Sequence, residues 1–204
     1  MGYCESLTQL ALVRSPFLLA VAVYNRGDVD GSRTAGHGLG AHGSGKLASL
    51  LGKWKVQEYI GMDKFLEELK FPRWQRALAA RAGQQYVLQL KGGSSDGSSL
   101  DNATLVISTS DVRGKSELEL PLSGRGVRAR DGDGGAAVVR SARTLDDRTV
   151  EITERFPHDR NPCSVCTRTL TKDGRMLLEV KKRTPRGTMA SMRALATRMS
   201  HLSA

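Results

Sequence analysis

The chain has 204 residues, a formal net charge of +10 at pH 7 and an aromatic content of only 5%. Its length suits one domain, or one domain with a tail, and is enough to bury a full core. The positive charge favours anionic partners such as phospholipid surfaces, nucleic acid or a carboxylate ligand, without choosing among them. Three cysteines are too few for a disulfide framework, which excludes the disulfide-rich secreted class and predicts a reducing compartment.

Residues 1–46 are predicted to be an N-terminal extension that is either disordered or used for targeting. An apolar run at 16–24 is too short to span a membrane. It has the length of a signal-peptide or transit-peptide core, although Glu5 stands where such peptides carry positive charge. Gly2 also fits the loose pattern for N-myristoylation. The bulky Tyr3 directly after it argues against this modification.

A glycine-rich stretch at the end of this extension is similar to a phosphate-binding loop. It runs Gly-Ala-His-Gly-Ser-Gly-Lys from Gly40 to Lys46. Leu47 stands where a Ser or Thr hydroxyl would hold Mg²⁺, and no strand is predicted before the loop. We therefore do not expect nucleotide binding, and we interpret His37 and His42 as solvated loop residues rather than metal ligands.

A strand followed by two short helices is predicted after the extension. Apolar residues alternate from Lys53 to Tyr59, which is typical of a strand. The next apolar residues follow the i, i+3, i+4, i+7 spacing of one helical face. These residues are Met62, Phe65, Leu66 and Leu69. Pro72 is suited to open a second helix, because its missing N–H and fixed φ do no harm there, and it keeps Phe71 out of the α region.

The rest of the chain is predicted to be a run of antiparallel strands. Nine further segments alternate with a period of two and are separated by turns rich in Gly, Asp and Pro. They are Gln85–Lys91, Ala103–Thr109, Lys115–Leu122, Val127–Arg130, Ala136–Leu145, Arg148–Phe156, Ser164–Thr171, Arg175–Arg183 and Thr188–Arg198. Ten strands joined in sequence order predict an all-β, up-and-down barrel, a closure that removes exposed edges.

This order of elements resembles the intracellular fatty-acid-binding proteins, the cytosolic branch of the calycin superfamily. The matching features are Gly52-x-Trp54 on the first strand, the helix Met62–Leu69 and Arg76 in the second helix. The resemblance implies that residues 47–204 form a ten-stranded β-clam with a helix-turn-helix lid. It also implies a carrier of long-chain fatty acids or similar hydrophobic carboxylates. Two loops, 92–102 and 157–162, look longer than those of the family.

The resemblance further implies a carboxylate site inside the barrel. In the family, an Arg on the eighth strand and an Arg-x-Tyr on the last strand bind the fatty-acid carboxylate. Arg168 matches the first position and Arg193 matches the second, with Leu195 in place of the tyrosine. Two guanidinium groups can keep a buried carboxylate hydrogen-bonded, and the missing hydroxyl removes one donor. The alternative is that both arginines are ordinary exposed strand residues.

Further ligand contacts are expected from the lid and from the barrel wall. The residues concerned are Met62, Phe65, Leu66 and Cys166. In the second helix, Arg73, Arg76 and Arg81 lie beside Trp74, which suits transient docking on an anionic membrane. Arg76 is also a candidate for a structural anchor to the barrel.

No catalytic or metal-binding constellation stands out in the sequence. Cys163 and Cys166 form a single CxxC, which cannot complete a tetrahedral zinc site. Positions i and i+3 of a strand also point to opposite faces. His158 has no nucleophile beside it. We therefore interpret the chain as a carrier that needs no cofactor, rather than as an enzyme.

Other functions remain open. A carrier of another apolar ligand, such as a retinoid, sterol or pigment, would use the same barrel. A basic β-barrel that binds nucleic acid would interleave aromatic residues with its basic strands, and this chain has few, so no nucleic acid is expected. A barrel enzyme or isomerase is the third alternative. We expect a monomer in the cytoplasm, or in an organelle if residues 1–46 direct it there.

Overall fold

The computed structural model describes residues 47–92, 100, 102–111, 114–130 and 136–199. The predicted extension, residues 1–46, and most of the predicted long loop 92–102 lie outside the described residues. The strands are β1 (Gly52–Ile60), β2 (Gln85–Lys91), β3 (Thr104–Asp111), β4 (Gly114–Pro121), β5 (Val127–Arg130), β6 (Ala137–Asp146), β7 (Thr149–Arg155), β8 (Ser164–Leu170), β9 (Met176–Arg183) and β10 (Met189–Arg198). The helices are α1 (Met62–Glu68) and α2 (Arg73–Ala79).

All ten strands belong to one antiparallel sheet, ordered β4-β3-β2-β1-β10-β9-β8-β7-β6-β5. The chain therefore forms a meander, in which β1 closes on β10 with Tyr59 opposite Ala194. β4 and β5 stand at the two ends of this order. The connection between them reaches β6 through a bridge from Ser123 to Arg143 and a 3.1 Å hydrogen bond from Gly124 N–H to the Ala142 carbonyl. The predicted barrel is confirmed, and it is nearly closed.

Consecutive antiparallel strands divide the barrel into two ends. At the lid end, β1 leads into the helices, and the connections β5–β6, β7–β8 and β9–β10 turn back. At the far end lie the turn 47–50 before β1 and the connections β6–β7 and β8–β9. This division fixes the depth of each inward side chain relative to the lid.

The far end is filled by the residues that precede β1. Leu47 and Leu50 are both 1% exposed, and Trp54 is fully buried. The indole N–H of Trp54 donates to the Leu50 carbonyl at 2.9 Å, and the Leu47 N–H donates to the Asp147 carbonyl at 3.1 Å. The Arg198 guanidinium stacks on the Trp54 ring, 4.6 Å from its centroid. These contacts join both chain ends of the barrel to its base.

The two helices form a compact lid. Residues 62, 65 and 66 of α1 are buried, as the helical stripe predicted. Gly61, with φ 75°, makes the reversal from β1 into α1, a conformation in which a Cβ would be strained. On α2, the Arg76 guanidinium lies 3.2 Å from an Asp63 carboxylate oxygen and 3.1 Å from one of Glu67. Arg76 therefore ties α2 to α1, whereas the sequence suggested an anchor to the barrel.

Candidate ligand-binding site

Arg168 lies inside the barrel. It is on the same face of β8 as Cys166, and only 2% of it is exposed. Its guanidinium donates to the Cys166 sulfur at 3.5 Å and stacks on the Tyr86 ring of β2, 5.4 Å from the centroid. Among the described residues no carboxylate pairs with Arg168, and its Nε has no hydrogen-bond partner. A buried cation without a counter-ion is costly, so this position favours an anionic ligand.

A tyrosine–glutamine cluster lies next to Arg168. The Tyr86 hydroxyl donates to the Gln84 side-chain oxygen. The Tyr59 hydroxyl lies 3.4 Å from both that oxygen and the Ala82 carbonyl. Burial, with a smaller contribution from the negative charge of Asp111, raises the pKa of Tyr59 to about 12. Tyr59 therefore stays neutral at physiological pH.

A second polar group faces the interior nearer the lid end. Arg140 on β6 and Glu154 on β7 are 1% and 4% exposed and lie directly opposite each other. The Arg140 Nε donates to Glu154 at 2.8 Å, and Nη2 donates to the Arg130 carbonyl at 2.9 Å. Nη1 is buried and has no partner among the described residues.

No role was predicted for this ion pair from the amino-acid sequence. The alternation of β6 places Arg140 on one face with Val138 and Ala142, but it does not tell which face is inside. The hairpin turn does not give the pairing either, because the register between β6 and β7 shifts between Thr144 and Asp146. Continuing the pairing of Asp146 with Thr149 would put Arg155 opposite Arg140, and the shift puts Glu154 there instead.

The predicted pairing of Arg168 with Arg193 inside the barrel is wrong. The Arg193 side chain is 62% exposed, and its Nε donates to Glu179 on the outer face at 2.8 Å. The inward residues of β10 are Ala190, Met192, Ala194 and Ala196. Leu195 shares the outer face with Arg193, so its predicted place in the carboxylate site is wrong too. The family motif was aligned with Arg193 and Leu195, one residue after the inward positions Met192 and Ala194. A shift of one residue along a strand moves every side chain to the other face.

The other predicted ligand contacts are buried. Met62, Phe65 and Leu66 of α1 belong to the apolar core under the lid. Cys166 belongs to the same core, and burial raises the pKa of its thiol, while the charge of Arg168 acts in the opposite direction. Its neighbour Cys163 is also buried, and its thiol donates to the Glu154 carbonyl at 3.3 Å. Contact of these residues with a ligand stays a prediction.

The predicted membrane-contact residues of the lid separate into two groups. Arg73 and Arg81 are exposed, and Trp74 beside them is 61% exposed. Arg76 is only 14% exposed in its side chain because it binds two carboxylates of α1. Its predicted role as a membrane contact is therefore wrong. Leu78, at 43% exposure, adds to the apolar surface of α2.

The loop between β7 and β8 is held by one arginine of β9. Arg183 forms an ion pair with Asp159 and donates to the carbonyls of Asn161 and Pro162, both at 3.1 Å. The hydrogen bond from Arg183 lowers the pKa of Asp159. The loop is therefore fixed to the barrel at the lid end.

The described residues show neither a clustered metal site nor a helix that could span a membrane. They contain no group of three or more His, Cys, Asp or Glu side chains arranged to hold a metal ion. Within these ranges, neither helix has the length and apolar character needed to cross a membrane.

Comparison with known proteins identifies the fold. No family model and no curated protein matches the sequence. Among solved structures, a Schistosoma mansoni fatty acid binding protein in complex with arachidonic acid matches with a TM-score of 0.57 and 18% identity, covering 76% of this chain and 100% of that one. The REP1-NXSQ fatty acid transporter matches with a TM-score of 0.55 and 17% identity, covering 75% and 98%. The chain thus has the barrel fold of these proteins.

Proposed function

We propose that this protein is a carrier that binds long-chain fatty acids, or similar hydrophobic carboxylates, reversibly inside its barrel. The observation that carries the proposal is Arg168, a buried guanidinium that has no carboxylate partner among the described residues. A fatty acid would supply the missing negative charge. Two structures of the same fold are described as a fatty acid transporter and as a complex with arachidonic acid, which supports this ligand class.

The interior also offers walls for the alkyl chain. Met62 and Phe65 of the lid and Met192 and Ala194 of β10 are buried apolar residues. Burial of a chain contributes about 0.8 kcal/mol for each CH₂ group, which is enough to offset the entropy lost on binding. A carrier of this kind holds its ligand without chemical change, so we propose no catalytic role.

The headgroup site proposed here is simpler than the family pattern. Met192 and Ala194 face inward on β10, at the place where the resemblance implied an arginine and a tyrosine. Arg168 would therefore be the main charged contact, with the ring of Tyr86 beneath its guanidinium. One guanidinium can still bind a carboxylate through two parallel hydrogen bonds.

Replacing Arg168 by Met tests the proposal, because it keeps the length of the side chain and removes the charge. Affinity for hexadecanoic acid should fall well over tenfold, since losing one partner of a buried charged pair costs on the order of 2–5 kcal/mol. Affinity for hexadecanol should change little. Isothermal titration calorimetry measures both.

Arg193→Met is the matched control, because it removes an arginine from the outer face of the same barrel. It should leave the affinity for the acid unchanged. An Arg168→Met variant that binds hexadecanoic acid as tightly as the parent would refute the carboxylate site.

A carrier of a neutral apolar ligand, such as a retinoid, sterol or pigment, is the second candidate. The inward Met192 and Ala194 favour it, because they add apolar wall without adding a donor. If the parent binds hexadecanol as tightly as hexadecanoic acid, this candidate takes the place of the first.

The lid is proposed to deliver the ligand at an anionic membrane. Arg73 and Trp74 at the start of α2 and Arg81 just after its end are all exposed. Basic residues beside an exposed indole suit an interface of charged headgroups. We further propose that the protein acts as a monomer in the cytoplasm. The reducing environment there suits a buried thiol such as that of Cys166.

A further inference from the structure

The barrel interior contains a second polar position, which is separate from Arg168. It is the buried pair of Arg140 and Glu154, with the Arg140 Nη1 lacking a partner among the described residues. We propose that this Nη1 binds a neutral oxygen near the middle of the ligand chain, so that the carrier prefers oxygenated fatty acids over unsubstituted ones. This inference rests on the proposed function and specifies its ligand class.

Charge decides which chemical group fits at Arg140. Glu154 already neutralises the guanidinium at 2.8 Å. A second carboxylate there would leave an excess negative charge in the interior, which is costly. A hydroxyl or keto oxygen, in contrast, accepts one N–H without adding charge. Leaving a buried donor unsatisfied carries its own penalty, so an acceptor on the ligand is favoured.

The strand register gives the distance between the two polar positions. On β7, Glu154 lies opposite Arg140, and Val150 lies opposite Arg168. Four residues of strand separate them, which corresponds to about 13 Å along the barrel. Arg168 is toward the far end and Arg140 is toward the lid end. An acid whose carboxylate is bound at Arg168 would therefore bring the middle of its chain to the level of Arg140.

The first experiment compares three ligands on the parent protein. They are hexadecanoic acid, the same acid with a hydroxyl near the middle of the chain, and the isomer with its hydroxyl beside the carboxyl group. The mid-chain hydroxy acid should bind roughly fivefold to tenfold more tightly than hexadecanoic acid, the gain expected from one satisfied hydrogen bond. The isomer should show no such gain. Calorimetry measures all three affinities on the parent chain, with no substitution needed.

The second experiment replaces the pair as a whole. An Arg140→Met/Glu154→Met variant avoids an isolated buried charge, and such exchanges are often neutral or stabilising. It should lose the preference for the mid-chain hydroxyl and keep its affinity for hexadecanoic acid within about twofold. The matched control, Arg193→Met/Glu179→Met, removes a cross-strand pair on the outer face and should keep the preference.

The outcomes separate this inference from the proposed function. A parent that binds no fatty acid, or an Arg168→Met variant that binds as the parent does, overturns both. Binding that depends on Arg168 but shows no preference for the mid-chain hydroxyl overturns this inference alone. A preference for the mid-chain hydroxyl that persists in the Arg140→Met/Glu154→Met variant also overturns this inference alone.

Discussion

The direction of a side chain from its strand separates two arginines that look alike in the sequence. Arg168 is buried and without a described carboxylate partner, whereas Arg193 is paired with Glu179 in solvent. An exposed ion pair contributes little to stability, about 0–1 kcal/mol. A buried guanidinium must be compensated by its surroundings or by a ligand. The difference in environment, rather than in residue type, makes Arg168 the candidate binding residue.

Removing one partner of the buried pair of Arg140 and Glu154 should cost far more unfolding free energy than removing one partner of an exposed pair. Arg140→Met alone leaves the Glu154 carboxylate buried without its partner, and should lower the free energy of unfolding by about 3–5 kcal/mol. The variant with both residues replaced by Met should recover most of that loss. Urea unfolding measures the three proteins. Equal stability of the single and double variants would show that the two side chains are not coupled.

The alkaline titration of Tyr59 offers a second test at this scale. Its pKa in the folded protein is about 12, against an ordinary value of 10.0. Because the folded-state pKa is raised, this group stabilises the fold fully below pH 10.0, and its contribution is lost as the pH rises toward about 12. Tyr59→Phe should remove one late-titrating phenol from the absorbance curve and reduce the loss of stability over that range.

The absorbance titration of the Tyr59→Phe variant shows which phenol is lost. If the lost phenol has a pKa near the ordinary value of 10.0, Tyr59 is not buried as described. The chain has four tyrosines, so one quarter of the phenol signal should disappear.

At the scale of elements, the strands and the inward face of β8 could be predicted, whereas the inward face of β10 could not. All ten predicted strands are present, each within two residues of its predicted ends, because the period of two and the glycine turns are local signals. The inward face of β10 depends on its pairing with β9, where Met192 lies opposite Val180. That register is a tertiary property, and an error of one residue placed Arg193 inside.

For the two helices of the lid, the buried face could be predicted from the sequence, but the tertiary contacts could not. The apolar stripe of α1 could be predicted from spacing alone, and the structure buries it. The partner of Arg76 could not be predicted, because it depends on how α2 folds back over α1. The positive φ of Lys70 and the proline at 72 make that reversal, which brings Arg76 to Asp63 and Glu67. An arginine in this clamp is not available for membrane contact.

Charge reversal on α2 tests the membrane proposal. Arg73→Glu/Arg81→Glu should slow ligand transfer to acidic vesicles several-fold and remove the salt dependence of the rate, since anionic headgroups attract each basic residue by about 1 kcal/mol. Transfer of a fluorescent fatty acid, followed by stopped-flow quenching, gives the rate. Neutral vesicles serve as the control surface, on which parent and variant should behave alike. Transfer that is unchanged on acidic vesicles would exclude docking through α2.

At the scale of the whole molecule, the barrel depends on a short segment before its first strand. The turn 47–50 places Leu47 and Leu50 in the core, and the Leu50 carbonyl accepts the Trp54 indole N–H. No role for this turn was predicted from the sequence, because the burial of both leucines depends on how the barrel folds over them. The described part of the barrel therefore includes this turn as well as β1.

Two truncated proteins test where the folding unit starts. A chain beginning at Ser44 keeps the turn and the Leu47 N–H bond to Asp147, so its thermal midpoint and fatty-acid affinity should equal those of the full chain. A chain beginning at Leu51 loses two buried leucines, each of which contributes about 1.5–3 kcal/mol through burial. Its thermal midpoint should fall by about ten degrees or more for a domain of this size, because each 1 kcal/mol shifts the midpoint by a few degrees. Calorimetric scans measure both. If the chain beginning at Ser44 fails to fold, residues 1–43 belong to the folding unit; if the chain beginning at Leu51 is as stable as the parent, the turn is not part of the core.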